Sequence, residues 1–115
     1  LTTPNASGIA GESLEPIVAA VRRGIDGSLV IGDLAAIADC SPGQLDRRMK
    51  KVFGLTAAQY VLKARIDRAA NLLQRSDESV ATVAAASGFY DQAAFTKQFV
   101  RLVGETPTQF RSHPG

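Results

Sequence analysis

The sequence has few of the residues on which enzymes and metal sites most often depend. It contains one histidine, His113, near its C-terminal end, and one cysteine, Cys40. A single cysteine excludes an intramolecular disulfide and a cysteine-rich zinc site. No Cys–His or Ser–His arrangement is visible, and no glycine-rich phosphate loop. We therefore expect no catalytic residues, no metal site and no cofactor.

Long apolar runs and a secretory signal are also missing. The longest apolar stretches are a few residues, whereas a membrane-spanning helix needs about 20. The N-terminus has no basic region followed by an apolar stretch. Cys40 lies among small apolar residues, and we interpret it as a small buried hydrophobic residue rather than a reactive thiol. These features predict a cytoplasmic protein without membrane contact.

The beginning of the chain resembles a connecting segment. Residues 1–12 are rich in glycine, proline and small polar residues, and they do not begin with methionine. Such a composition predicts a flexible linker or tail. We expect the chain to be a piece of a longer protein.

The net charge of +2 is small, but the charges are unevenly distributed. Residues 1–46 carry a net charge of −4, residues 47–75 carry +7 and residues 76–115 carry −1. The middle band has eight cations against one carboxylate. Such a density of positive charge indicates binding to a polyanion. A solvated helix surface is the alternative interpretation.

Helical periodicity runs through most of the chain, and no segment alternates as a half-buried strand does. Three capping boxes begin at Ser41, Thr56 and Thr106, each with glutamine three residues later. Gly54 and Gly104 are expected left-handed residues at helix ends. The sequence therefore predicts an all-α domain with seven helices. They cover residues 14–25, 31–39, 42–53, 57–75, 80–87, 92–103 and a short segment from 107.

The third and sixth predicted helices are copies of each other, and a shift of 50 positions relates them. The matched pairs are Leu45 and Phe95, Arg47 and Lys97, Gly54 and Gly104, Thr56 and Thr106, Gln59 and Gln109, and Tyr60 and Phe110. Each copy follows a short helix and a turn of about three or four residues. This is the layout of a helix-turn-helix DNA-binding motif, whose second helix is the recognition helix. The repetition favours duplex DNA as the polyanion.

The predicted helix between the two motifs has a suitable length for spacing them. A helix of about 19 residues is roughly 28 Å long. The major groove of DNA recurs every ~34 Å. We therefore expect the linker helix to hold the two recognition helices about one DNA turn apart, on an asymmetric site.

A helical wheel divides each recognition helix into an apolar and a polar face. The residues predicted to face inward are Leu45, Met49 and Val52, with Phe53 beside them, and Phe95, Phe99 and Leu102. Those predicted to face outward are Gly43, Gln44, Arg47, Lys50, Lys51, Gln92, Ala93, Ala94, Lys97, Val100 and Arg101. Arg47 and Lys97 occupy equivalent outward positions. A cation there can reach guanine or a phosphate.

The motifs of both halves resemble the AraC/XylS family of bacterial transcription regulators. In the second half the resemblance lies in the run VAAASGFYDQAAFTKQF over 83–99, followed by Gly104-x-Thr-Pro107-x-x-Phe110-Arg111. The matching features of the first half are Leu34-Ala35, Ser41-Pro-x-x-Leu45-x-Arg47, Phe53-Gly54-x-Thr56-x-x-Gln59-Tyr60, Arg65, Ala69 and Leu72-Leu73. The resemblance covers about residues 14–112.

This resemblance implies a homeodomain-like DNA-binding domain over 13–115. Two helix-turn-helix subdomains, 13–56 and 76–112, would be joined by the linker helix 57–75. The implied function is sequence-specific binding of double-stranded DNA and transcription regulation, in many members activation through RNA polymerase. An N-terminal effector or dimerisation domain is expected in the full-length protein.

The resemblance also implies positions for the DNA contacts. Base contacts are expected from Gly43, Gln44, Asp46, Arg47, Gln92, Ala93, Thr96 and Lys97. Phosphate contacts are expected from the cations Lys50, Lys51 and Arg101 and from the helix N-termini at Ser41, Thr56, Asp91 and Thr106. Because Gly43 lacks the larger side chain that members often carry, and Ala93 has only a methyl group, we expect few base contacts. We expect the less basic second recognition helix to contribute less to affinity.

Other interpretations stay open at this point. A helical protein-interaction module would explain the amphipathic helices but not the cations at matched positions. RNA binding is less well supported, because the chain has no tryptophan and no aromatic stacking motif. For Arg65 and Arg68 a structural ion pair is the simpler interpretation, and Lys63 with Asp67 has the i, i+4 spacing of an ordinary helix pair.

Overall fold

A computed structural model of the chain describes residues 13–27 and 29–113. Within these ranges the chain is all-α, with no strand, as the sequence predicts. The helices are α1 (Glu15–Arg23), α2 (Ile31–Ile37), α3 (Pro42–Phe53), α4 (Ala57–Arg75), α5 (Val80–Ala86), α6 (Gln92–Val103) and α7 (Pro107–Arg111). The predicted linker at 1–12 lies outside the described residues.

Reciprocal caps fix the N-termini of three of these helices. At α3 the hydroxyl of Ser41 accepts from the backbone N–H of Gln44 at 3.2 Å, and the Gln44 Oε1 accepts from the Ser41 N–H at 2.9 Å. The same pair of bonds forms at α4 and at α7. Gly54 and Gly104 end α3 and α6 with φ of 76° and 98°. The predicted bounds of α3, α4 and α6 are therefore confirmed.

Helices α1, α2 and α5 are shorter than predicted: α2 ends at Ile37 rather than 39, and α5 ends at Ala86 rather than 87. α1 ends at Arg23, two residues early, with Gly24 as its cap. A Cβ on Gly24 would lie 2.9 Å from the Cβ of Leu29, so the close return of the chain requires glycine here. α5 is capped by Ser79, whose hydroxyl accepts from the Thr82 N–H at 3.0 Å. Cys40 is half-buried rather than fully buried.

The described residues form two compact units, each with its own core. The first unit contains 13–24 and 29–61, and the second contains 25–27 and 62–113, so the chain of α4 is divided between them. In the first unit α1 packs on α2, and α2 packs on α3. The largest fully buried side chains there are Ile17, Leu34, Leu45, Met49 and Val61.

The second unit has an aromatic core. α5 packs on α6, and α6 packs on α7. The rings of Phe89, Phe95, Phe99 and Phe110 follow one another with centroids 5.1 to 5.6 Å apart. Arg111 donates from Nε to the carbonyl of Leu73 at 2.9 Å and from Nη2 to that of Ser76 at 3.2 Å, which satisfies carbonyls at the end of α4.

The charged side chains of α4 have mainly structural contacts. Lys63 Nζ lies 2.9 Å from Asp67 Oδ2, so the predicted i, i+4 pair is present and exposed. Arg68 donates from Nε to the carbonyl of Ala86 at 2.9 Å. This hydrogen bond satisfies the C-terminal end of α5. It takes the place of the ion pair that we predicted for Arg68.

The turn after α5 is tightly packed around Gly88. Its φ is 89°, and an added Cβ would lie 2.7 Å from both Arg65 Nε and the carbonyl oxygen of Ile25. The Arg65 Nε and the Ser87 hydroxyl nearby are buried without a hydrogen-bond partner among the described residues. The backbone can pass here only because residue 88 has no side chain.

We expect Gly88→Ala to destabilise the domain more than Gly104→Ala. Both glycines have positive φ, so both variants incur about 1–2 kcal/mol of backbone strain. Only the Gly88 variant adds a clash, because nothing lies within 4 Å of a Cβ at Gly104. Urea unfolding of the two variants measures the difference. Equal losses would show that the close approach at Gly88 is not rigid.

Candidate nucleic-acid interface

The inner face of α3 is held by two buried apolar side chains, and its outer face is open. Leu45 and Met49, one turn apart, are almost completely inaccessible. The five residues predicted to face outward are all exposed. They are Gly43, Gln44, Arg47, Lys50 and Lys51. Three cations therefore lie on one exposed helix surface.

The same arrangement recurs in α6. Phe95 and Phe99 are fully buried, at positions equivalent to Leu45 and Met49. The exposed residues of this helix include Gln92, Ala93, Ala94, Lys97, Val100 and Arg101, as predicted. From the first cap to the second turn of each helix, the order of exposed, half-buried and buried residues is identical in the two copies. The repeat in the sequence is therefore a repeat in packing.

The last turns of the two recognition helices differ from the prediction. Val52 and Leu102, predicted to face inward, are 63% and 46% exposed, and Phe53 beside Val52 is 38% exposed. Val52 and Phe53 line an open groove together with Leu14 and with Val18 and Arg22 of α1, so the end of α3 is only partly covered. The sequence shows which face of a helix is apolar, but not how far the neighbouring helices extend over it.

The two turns are built alike but differ in length by one residue. Asp39, with φ of 57°, and Gly88, with φ of 89°, occupy the left-handed position. The next residues, Cys40 and Phe89, donate their N–H to the carbonyls of Ala35 and Ala84 at 3.1 and 3.0 Å. Equivalent residues up to Cys40 and Phe89 are 49 positions apart, whereas equivalent residues from the helix caps Ser41 and Asp91 onward are 50 positions apart. The second turn therefore contains one extra residue, Tyr90.

Asp46, a predicted base contact, also has a partner within the fold. It is half-buried, and its Oδ1 accepts the N–H of Ala57 at 2.9 Å. The carboxylate thus satisfies a free N–H at the start of α4. In the second copy Thr96 stands at the position of Asp46, and Pro107, which has no N–H, stands at that of Ala57. Sequence reasoning missed this bond because the two residues lie eleven positions apart in different helices.

The side chains at the predicted N-terminal phosphate sites are already in use as caps. Ser41, Thr56 and Thr106 accept N–H groups of their own helices, and Asp91 Oδ1 accepts the Ala93 N–H at 2.9 Å. A phosphate at these ends would have to bind remaining backbone N–H groups. The cations are freer: Lys50 and Lys51 are exposed, and Arg101 is exposed with its Nε bonded to Gln98 Oε1 at 3.0 Å. The phosphate assignments stay predictions.

Metal sites and membrane-spanning helices are absent from residues 13–27 and 29–113. These residues hold no group of three or more metal-binding side chains, and none of their helices is both long and apolar enough to cross a membrane. His113 is exposed, and its Nε2 lies 2.9 Å from Glu105 Oε1. The exposed faces of α3 and α6, with cations at the matched positions Arg47 and Lys97, are the candidate site.

Comparison with known proteins agrees with this geometry. A family model described as a helix-turn-helix domain matches residues 34–113, which include both motifs. A putative AraC-like transcription regulator of Streptomyces lividans is 28% identical over 94% of the chain. The chain belongs to the AraC/XylS family of transcription regulators. Its all-α fold with two helix-turn-helix motifs is the fold of that family's DNA-binding domains.

Named relatives are considerably longer than this chain. The transcriptional activator RhaR of Mannheimia succiniciproducens is 32% identical over 99 residues, which cover 86% of this chain and 36% of that protein. The S. lividans relative is also covered over 36% of its length. The chain thus spans about a third of the curated relatives that it matches.

Two solved structures have a closely similar fold. The AraC-type regulator of Chromobacterium violaceum superimposes with a TM-score of 0.80 and 28% identity, covering 89% of this chain and 94% of that one. The DNA-binding domain of AdpA, solved in complex with a target DNA, gives a TM-score of 0.78 and 31% identity. The matched region covers 85% of this chain and 87% of the AdpA chain.

We expect Asp46→Ala to destabilise the domain by about 1 kcal/mol, because it leaves an N–H of α4 unsatisfied. Asp46→Asn retains an oxygen that can accept the bond and should lose less. Thr96→Ala is the matched control in the second copy, where Pro107 offers no N–H. Denaturant unfolding of the three variants measures the effect. If Asp46→Ala were as stable as the wild-type protein, the bond would have no stabilising role.

Proposed function

We propose that this domain binds double-stranded DNA sequence-specifically and regulates bacterial transcription in the cytoplasm. The observation that carries the proposal is the repeated recognition helix. In each copy two buried side chains anchor the inner face, and the outer face presents exposed polar and cationic residues. The related AdpA domain was solved with a target DNA, which supports the same ligand class here.

In this proposal Arg47 and Lys97 are the principal base-reading cations. They occupy equivalent exposed positions, one to two turns into α3 and α6. From such a position a guanidinium can bond guanine N7 and O6 together, and an ammonium can bond either. The remaining proposed base contacts lie beside these two cations. They are Gly43, Gln44 and Asp46 in α3, and Gln92, Ala93 and Thr96 in α6.

The cations further along the helices would bind the DNA backbone. Lys50 and Lys51 lie on the exposed face of α3, and Arg101 is the corresponding cation of α6. Phosphate contacts fix register and orientation but carry no direct sequence information. Because α3 has three exposed cations and α6 has two, we propose that the first motif supplies more of the affinity.

We further propose that the two motifs read successive segments of the major groove. The continuous helix α4 has 19 residues, which corresponds to roughly 28 Å. A single domain would then recognise an asymmetric site without a two-fold axis. A symmetric dimer of one-motif proteins would instead require a palindrome.

The whole protein is proposed to contain more than this domain. Because the relatives are about two and a half times as long, we propose an N-terminal effector-binding or dimerisation domain in the full-length protein. Relatives named as transcriptional activators suggest activation, and contact with RNA polymerase would be the means.

A mobility shift with random-sequence duplex at two salt concentrations tests DNA binding itself. A DNA-binding domain must bind at low salt and lose affinity as salt rises, because bound cations displace counterions. Failure to bind at any salt concentration would contradict the proposal and favour a protein-interaction module.

The proposed roles also predict a difference between two variants on a site selected from a random DNA pool. Arg47→Ala should weaken specific binding by about 1–3 kcal/mol and relax the preference at one base pair. Lys51→Ala should weaken binding to all duplexes alike, and it should reduce the slope of log affinity against log salt concentration by about one. Titrations with the selected and a scrambled duplex measure both. Identical losses of the two variants on both duplexes would contradict these roles.

A further inference from the structure

Tyr90 is the residue by which the second turn exceeds the first. Its side chain is fully exposed, unlike the other tyrosine, Tyr60, which is half-buried and lies 4.8 Å from the ring of Phe53. Within the described residues Tyr90 has neither a hydrogen bond nor a ring contact. A fully exposed aromatic side chain with no partner contributes nothing to packing.

The turn is held together without this side chain. The N–H of Phe89 bonds to the carbonyl of Ala84 at 3.0 Å, and the Phe89 ring lies 5.1 Å from that of Phe95. After Tyr90, Asp91 caps α6 through its bond to Ala93. The first motif forms the same turn without an extra residue. The fold therefore does not require a tyrosine at this position.

The start of α6 also has few side chains that could bind a phosphate. Asp91 is negatively charged and already serves as the cap, and the next residues include Ala93 and Ala94. The cations of this helix, Lys97 and Arg101, lie one to three turns further along. Tyr90 places a neutral O–H donor next to the end of α6 that carries the proposed base contacts Gln92 and Ala93.

We propose that Tyr90 binds the sugar–phosphate backbone of DNA at the N-terminal end of α6, with its phenol O–H donating to a phosphate oxygen. The proposal rests on the proposed function, since it requires α6 to approach DNA by this end. The extra residue would then supply the second motif with a backbone contact for which the first motif has no counterpart.

The test compares Tyr90→Phe, Tyr90→Ala and the wild-type domain in titrations with the selected and the scrambled duplex. Removal of one hydrogen bond should weaken binding about fivefold in both variants and on both duplexes, because phosphates carry no sequence information. The salt slope should stay as in the wild type, since a neutral donor displaces no counterion. Tyr60→Phe, which keeps its ring contact, is the matched control and should bind as the wild type does.

Unfolding of the Tyr90 variants should be unchanged, because the side chain packs against nothing. A duplex with one methylphosphonate at the contacted phosphate locates the bond. On that duplex the wild-type domain and Tyr90→Phe should bind equally, while on the unmodified duplex they differ.

The possible outcomes separate this proposal from the proposed function. If the wild-type domain binds DNA and both Tyr90 variants bind as tightly, the contact does not exist, although DNA binding stands. If only Tyr90→Ala binds weakly, the ring makes a contact but the hydrogen bond is refuted. A wild-type domain that binds no DNA would overturn both.

Discussion

Each recognition helix depends on two buried side chains one turn apart. Leu45 and Met49 anchor α3, and Phe95 and Phe99 anchor α6. Because their burial fixes the rotation of the helix about its axis, it also decides which residues face solvent. The exposed cations lie on the outer face as a direct consequence. Caps at Ser41 and Asp91 then fix where each exposed face begins.

The two copies keep this anchoring but differ in how each recognition helix is joined to its neighbours. In the first copy Asp46 binds the N-terminus of the following helix, and in the second Pro107 removes the N–H that would need such a partner. The turn of the second copy has one residue more than that of the first. The core of the second unit is aromatic, whereas that of the first unit is aliphatic. The exposed surfaces of the two recognition helices are therefore related but unequal in charge and in shape.

Much of this fold could be predicted because short-range signals mark it. The bounds of α3 and α6 and the start of α4 follow from capping boxes, Asp91, Gly54 and Gly104, whose partners lie within four residues. Features that depend on distant residues were missed. Val52 lines an open groove with residues at the first helix, and the bond of Asp46 depends on a residue in another helix. The extra residue in the second turn appears only when the backbone hydrogen bonds of both turns are aligned.

Reading by two motifs in one chain is tested most directly by changing the distance between the two halves of a selected DNA site. Insertion of five base pairs turns the second half by about half a helical turn away from the first. If α4 joins two recognition helices that bind together, affinity for the altered site should fall to that of a site with only one half. Unchanged affinity after the insertion would contradict simultaneous reading and leave one motif as the whole of the specific interface.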